Sequence, residues 1–290
     1  MNTSPYISVI TINRNNAKGL LQTLESVWND QKYGSVEQIV IDGASTDDSV
    51  EMIKRFEDKL AYWVSEPDSG IYNAMNKGIA HAKGEYLLFL NSGDWLVADI
   101  LEKILVSPFT ADIVYGDRYD YYDSDRIVLH RYDEPVSMLY LFRDVIPHQS
   151  AFIHRSLFAD YGYNEENKIV SDCEFFIRKV VFEQAVTAYV PHAISYFNMN
   201  GISSDEKFSK LQKEEFRKCV RDLLPPKIYD DYVLLNKYNE VLKWAGMMDI
   251  MPLLENRGSL SRKVGRAARM VIWFNNLEHK ILSLFKRKKG

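Results

Sequence analysis

Over residues 1–116, hydrophobic and polar positions fall into blocks that alternate between two periods. Short, nearly unbroken apolar runs at 6–12, 36–41, 60–64, 86–90 and 112–116 have the pattern of strands buried on both faces. Between them Leu20, Leu21, Leu24, Val27 and Trp28 recur at helical spacing, as do Val50, Ile53 and Phe56 and the apolar positions of 71–82. Ser45 or Thr46 is placed to cap the helix carrying Val50. Strand and helix alternating at this rhythm predict a parallel sheet with crossover helices. Three of the strands run straight into polar turns: residues 13–16, residues 42–48 beginning with Asp42, and Asn91-Ser92-Gly93-Asp94. In a parallel sheet those turns share one edge, the crevice beyond the strand ends where open α/β sheets bind ligands.

After Gly116 the rhythm changes. Residues 119–122 and 127–132 flank Asp123-Ser124-Asp125-Arg126, a hairpin pattern. A strand is expected at 151–154 and another at 186–190. Residues 169–182 read as a helix with Ser171 near its N-cap and Asp172 and Glu174 in its first turn. Residues 198–204 form a polar loop, and from Asp205 onward the pattern is helical, broken at Pro225-Pro226, Pro252 and Gly258.

Composition changes this picture little until the C-terminus. Of 290 residues 46% are hydrophobic and 26% charged, ordinary for a globular chain. Two cysteines, Cys173 and Cys219, lack metal-site spacing and make no disulfide framework. No run approaches the roughly 20 apolar residues of a membrane span, and the first residues lack the pattern of a signal peptide, so the expected compartment is the cytoplasm. The net charge of −4 is unevenly spread: from Arg257 on there are ten Lys/Arg against Glu278 alone. That asymmetry argues against nucleic-acid binding by the main body. Residues 259–289 place Leu260, Val264, Val271, Phe274, Leu277 and Ile281 at helical spacing beside basic residues. This suits either a helix packed on the body or one lying on an anionic membrane surface, the second giving a peripheral protein on the inner face of the cytoplasmic membrane. The expected organisation is thus 1–116, 117–204, a helical extension at 205–256 and a basic amphipathic tail at 257–290.

Several positions offer chemistry, each beside a plainer reading. Asp42 either caps a helix or accepts hydrogen bonds from a nucleotide. Asp94 either closes a turn or, at the mouth of a buried strand, helps hold Mg²⁺ or Mn²⁺, whose other oxygens come from a ligand's phosphates. Asp172 either complements its helix dipole or acts as general base, with Glu174 as competitor. His148, His154 and His192 are scattered; His148, in Pro147-His148-Gln149-Ser150, is the best placed to face an acceptor. P-loop, GxGxxG, GxSxG and HExxH motifs are absent.

Taken together, SVITINRNN, IDGASTDDS, DSGIYNAMNKGIAHAKGEYLLFLNSGD and SDCEFFIR, in that order over residues 6–205, resemble the family 2 glycosyltransferases, in particular those that build capsular, exopolysaccharide or O-antigen chains. The resemblance implies a GT-A fold and inverting transfer from a nucleotide-sugar, with a UDP-sugar favoured, to a hydroxyl of a glycan or lipid-linked acceptor. It implies nucleotide-sugar contacts from Thr11, Asn13, Asp42, Asp68, Lys77, Asn91 and Ser92, a metal ligand in Asp94, and the catalytic base in Asp172. Asn91 and Gly93 replace acids common in the metal motif, Gly43 replaces a second Asp, and Met75 stands where many members carry an arginine. Rival readings are a sugar-1-phosphate nucleotidyltransferase, a polyprenyl-phosphate sugar transferase of the same fold, and a non-catalytic binder of sugar nucleotides.

Overall fold

The computed structural model describes residues 4–29, 35–105, 108–200 and 206–244. It divides into two compact units, 1–226 and 227–290.

In the first unit, β1 (Ile7–Asn13), β2 (Val36–Asp42), β3 (Tyr62–Ser65) and β4 (Tyr86–Phe89) form a parallel sheet in the order β3-β2-β1-β4. The connecting helices are α1 (Ala17–Trp28), α2 (Ser49–Arg55) and α3 (Ile71–His81). Helices cover this sheet, so β1, β2 and β4 are almost wholly buried, with Ser8, Thr11, Glu37 and Gln38 the polar exceptions among apolar positions before the strand ends. Leu20 and Leu24 of α1 and Met52 and Ile53 of α2 pack with Val40 on one side, while α3 lies against β1 and β2 on the other. Full burial of each such side chain contributes about 1.5–3 kcal/mol.

Beyond β4 the sheet becomes mixed. β5 (Trp95–Leu96) and α4 (Ile100–Ile104) lead to β6 (Ile113–Asp123), which hairpins into β7 (Arg126–His130). α5 (Met138–Arg143) precedes β8 (Ala151–His154), which inserts antiparallel between β4 and β6. α6 (Ser171–Phe176) continues as a π-helical turn, Ile177–Phe182, and β9 (Thr187–Asn198) then pairs parallel with β6 and antiparallel with β5. Leu88, Leu96, Leu101, Val114, Phe152 and Ile194 join the two halves in one core. α7 (Glu206–Leu223) closes the unit, placing Phe216, Cys219 and Leu223 around Val170 and Cys173. The first unit ends at Pro226, the proline on which α8 (Pro226–Trp244) opens, as suits a first helical turn; the rest of that helix belongs to the second unit.

Several expectations are corrected. The strands expected at 112–116 and 119–122 are one strand, bulged between Gly116 and Arg118. The strand expected at 186–190 runs on to Asn198, because β5 and β6 offer it partners along its length. Neither Ser45 nor Thr46 caps α2; Asp48 holds that position without a side-chain bond, and Asp47 accepts from the Ser49 amide and hydroxyl instead. Ser171 lies next to the N-cap of α6 as expected, with Val170 as the cap residue, and its buried hydroxyl has no partner. The loop at 201–205 and the tail at 257–290 lie outside the described residues.

Candidate active site

Parallel pairing puts Asn13 directly opposite Asp42, so the turns after β1 and β2 begin side by side. Asp42 is fully buried and its carboxylate is engaged on both oxygens. One accepts from Asn13 Nδ2 (2.7 Å) and the Ser45 hydroxyl (2.5 Å); the other accepts from the Ser65 hydroxyl (2.6 Å) and the Ser45 amide (2.9 Å). It therefore ties the ends of β1, β2 and β3 together. Thr11 is also fully buried and accepts from Gln38 (3.0 Å). Asn13 is buried too, and its Oδ1 has no partner, so of these three it alone keeps an unsatisfied polar atom. Asp68 accepts from the Gly70 amide (3.0 Å) and lies over Gly43. Lys77 bonds Glu66 (2.7 Å) and the Pro67 carbonyl (3.0 Å), fixing the loop that carries Asp68.

The turn after β4 is held from α1. The Thr23 hydroxyl lies 2.7 Å from the Asp94 carbonyl and accepts from the Gly93 amide at 3.0 Å. Ser26 accepts from the Leu96 amide (3.1 Å), and Asn16 donates to the Ser92 carbonyl (2.9 Å) while capping α1 through Gly19. Gly93 sits at φ 100°, a left-handed conformation that favours glycine. Asp94 is buried, and the Asn198 amide donates to its Oδ1 at 3.0 Å. Burial pushes its carboxyl up to about 7, against that hydrogen bond and the more distant charges of His148 and Arg118. Among the described residues no cation lies within ion-pair distance of it, and none of them form a cluster of three or more metal-ligating side chains. A desolvated carboxylate lacking a counter-cation fits a divalent ion, provided that ligand phosphates and water supply the remaining oxygens.

Across from this turn lies Asp172, at the start of α6. Its Oδ1 accepts from the Cys173 amide (3.0 Å) and is 2.9 Å from the Tyr72 hydroxyl, which is also 2.7 Å from the Ile169 carbonyl. Its Oδ2 is 3.2 Å from His148 Nδ1, and His148 Nε2 is 3.3 Å from Asn91 Nδ2. Burial alone would raise the Asp172 carboxyl, but the His148 hydrogen bond and charge, with the Tyr72 and Cys173 bonds, hold it below the usual value. Burial, with Asp172 adding to it, keeps the Tyr72 hydroxyl protonated.

Glu174, the competing acid, faces elsewhere: Tyr161, Asn164, Asn167 and Arg178 surround its carboxylate at 2.6–3.0 Å. It anchors the loop before α6. Glu215 of α7 accepts from three successive amides of that loop, Lys168, Ile169 and Val170, at 2.7, 2.7 and 3.2 Å. Neither Glu215 nor Thr23 and Ser26 was visible as a site residue; polar residues among helical apolar positions were their one signal.

Acid-bearing turns at one edge of a parallel half-sheet, with a mixed half-sheet bringing a second carboxylate, suit an enzyme that transfers a group from a phosphate-bearing donor. The family model of Glycosyl transferase family 2 matches residues 8–184, and the chain belongs to that family and is a glycosyltransferase. An uncharacterized glycosyltransferase of Mycobacterium tuberculosis is 37% identical over 210 residues, 70% of this chain and 79% of that protein. A PGL/p-HBAD biosynthesis glycosyltransferase of the same species is 29% identical over 266 residues, 84% and 95% of the two chains. Among solved structures, TarS of S. aureus superposes with a TM-score of 0.59 at 21% identity, over 78% of this chain and 42% of TarS. The mannosyltransferase PcManGT of Pyrobaculum calidifontis, in complex with GDP-Man and Mn²⁺, gives 0.59 at 17% identity, over 90% and 81%. These similarities establish the GT-A fold; no helix among the described residues is long and apolar enough to cross a membrane.

Proposed function

We propose that the chain transfers a sugar, with inversion, from a nucleotide-sugar to a hydroxyl of a glycan or lipid-linked acceptor, in the assembly of bacterial surface polysaccharide. The observation that carries this reading is the pairing of a desolvated Asp94, lacking a counter-cation among the described residues, with the hydrogen-bonded Asp172–His148 pair bridged to the same turn by Asn91. The nucleotide would lie across the turns after β1, β2 and β4. Asn13 Oδ1 and the Asp68 loop would contact it directly, with Asp42, Thr11 and Lys77 fixing those groups and Asn91 and Ser92 lining its diphosphate end. Asp94 would hold Mn²⁺ or Mg²⁺, which when bound neutralises charge on the diphosphate. Asp172, with His148 bonded to it on the acceptor side, would take the acceptor's proton as its oxygen attacks the anomeric carbon in line with the departing diphosphate. A UDP-sugar is the favoured donor, supported by the solved complex of TarS with UDP-GlcNAc.

The first experiment is a thermal titration of the full chain with UDP-, GDP- and dTDP-sugars, with and without Mn²⁺. A bound donor raises the melting temperature by mass action without any acceptor. A manganese-dependent rise with one UDP-sugar is expected, lost in Asp94→Ala. No rise with any sugar nucleotide overturns the reading.

A further inference from the structure

We propose that Tyr72 is the positioning residue of Asp172: its hydroxyl donates to Oδ1 of the ionised carboxylate, ties that oxygen to the donor half of the protein, and leaves Oδ2 to take the acceptor's proton. The inference rests on the transfer reading above and deepens it by naming the reacting oxygen and the residue that aims it.

The argument begins with placement. Asp172 opens α6 in the mixed half, whereas Tyr72 lies in the first turn of α3, 100 residues earlier in the chain. α3 starts directly after Gly70, whose amide holds Asp68 (3.0 Å) in the loop proposed to meet the donor. The 2.9 Å contact between Tyr72 and Asp172 therefore joins the base to the helix that begins at the donor loop. The Tyr72 ring is held in place, buried and packed on Tyr163 with centroids 5.3 Å apart.

The hydrogen bonds then give each oxygen its part. A phenol has one proton to donate, and two acceptors stand near it: Asp172 Oδ1 at 2.9 Å and the Ile169 carbonyl at 2.7 Å. An ionised carboxylate is the stronger acceptor. Asp172 is ionised: burial raises its carboxyl, but the His148 bond and charge, with the Tyr72 and Cys173 bonds, hold it below the usual value. Oδ1 thus accepts from both Tyr72 and the Cys173 amide (3.0 Å). Oδ2 has His148 as its one hydrogen-bonding neighbour among the described residues, at 3.2 Å. Two donors on Oδ1 fix the plane of the carboxylate and leave a lone pair on Oδ2.

In the reaction the acceptor O–H breaks while its oxygen bonds the anomeric carbon. The C–O bond to diphosphate breaks with its electron pair leaving on phosphate, and the proton arrives on Oδ2. Once the charge on Asp172 is gone, the Tyr72 hydroxyl turns its proton to the Ile169 carbonyl. The proton uptake is then accommodated by rotation of one hydroxyl, the small reorganisation that a preorganised site requires.

Two measurements test this, both on the full chain. Tyr72→Phe keeps the ring and removes the hydroxyl. Donor hydrolysis with water as acceptor is followed against pH for the UDP-sugar found by thermal titration, with Mn²⁺. The variant is expected to keep the donor-induced melting shift and to lose about tenfold or more in plateau turnover, as a misaimed base does. The acid limb of its pH profile is expected at higher pH than the parent's, because the ionised form has lost a donor. The other ionisable groups around Asp172 are His148, the Tyr163 phenol, the Cys173 and Cys219 thiols and Glu215. Burial raises the phenol and both thiols, and all five are common to parent and variant, so the difference between the two profiles reports Tyr72. Unchanged turnover overturns the proposal, and so does a loss of turnover with the acid limb unmoved. The second measurement needs no turnover: ¹³C carboxyl titration of aspartate-labelled, metal-free protein, with Asp172→Asn identifying the signal. Asp172 should protonate below the usual aspartate range in the parent and at higher pH in Tyr72→Phe; equal midpoints overturn the proposal. A parent with neither donor shift nor turnover sinks the transfer reading and the positioning role with it, while the titration still decides whether Tyr72 bonds the ionised Asp172.

Discussion

The Asp68 carboxylate lies over the α-carbon of Gly43, in the space that a β-carbon would fill. The two residues belong to different loops, after β3 and after β2, and the glycine leaves room for the Asp68 carboxylate to settle against the second loop. Gly43→Ala should displace Asp68 and release its bond to the Gly70 amide. Because the clash falls on the end of a flexible side chain, we expect less than about 1 kcal/mol of lost stability, together with weaker donor binding. Urea unfolding and donor titration of the variant measure both.

Thr23 links the middle of α1 to the turn carrying Asp94 by two hydrogen bonds. Thr23→Val keeps the shape and leaves the Gly93 amide and Asp94 carbonyl without their partner. A loss of about 1–3 kcal/mol is expected, with Mn²⁺ affinity falling alongside it. Unchanged metal affinity in a destabilised variant would separate the turn from the metal.

Asp94 gives a signed pH dependence. Its folded-state carboxyl is raised to about 7, so its contribution to metal-free stability is fully present below the unfolded value near 3.9 and is lost as pH rises to about 7. Without metal, Asp94→Asn should therefore melt above the parent at pH 8, with the difference shrinking toward pH 4. With Mn²⁺ and donor the order should reverse at pH 8, because the ion requires the carboxylate. Melting curves across pH, with and without Mn²⁺ and donor, check both signs.

Glu215 holds three consecutive amides just ahead of Asp172. Glu215→Ala should loosen that loop and cost about 1.5–3 kcal/mol, the range for hydrogen bonds to a charged group. Turnover should fall while donor affinity holds, since no donor-side turn touches Glu215. A change in donor affinity alone would contradict this placement.

The sequence by itself determined the parallel half of this protein, because period is a local property. Apolar runs flanked by polar turns specify β1, β2 and β4, and parallel pairing then sends residues 13–16, Asp42 and Asp94 to one edge. The order of motifs likewise pointed to Asp172 and to the family. Tertiary structure decided what each polar group is free to do. Asp42 and Lys77 are expected ligand contacts in one dimension, and only the fold shows that Ser45, Ser65, Glu66 and Pro67 also bond them. Asp172 and Glu174, two residues apart, were separated only by what surrounds each, a histidine in one case and an anchoring loop in the other. The meeting of Asn91, His148 and Asp172 is longer-ranged still. They are brought together from the ends of β4, β8 and α6 by an antiparallel strand inserted into a parallel sheet, a pairing set by shared burial of Leu88 and Phe152 rather than by any local pattern.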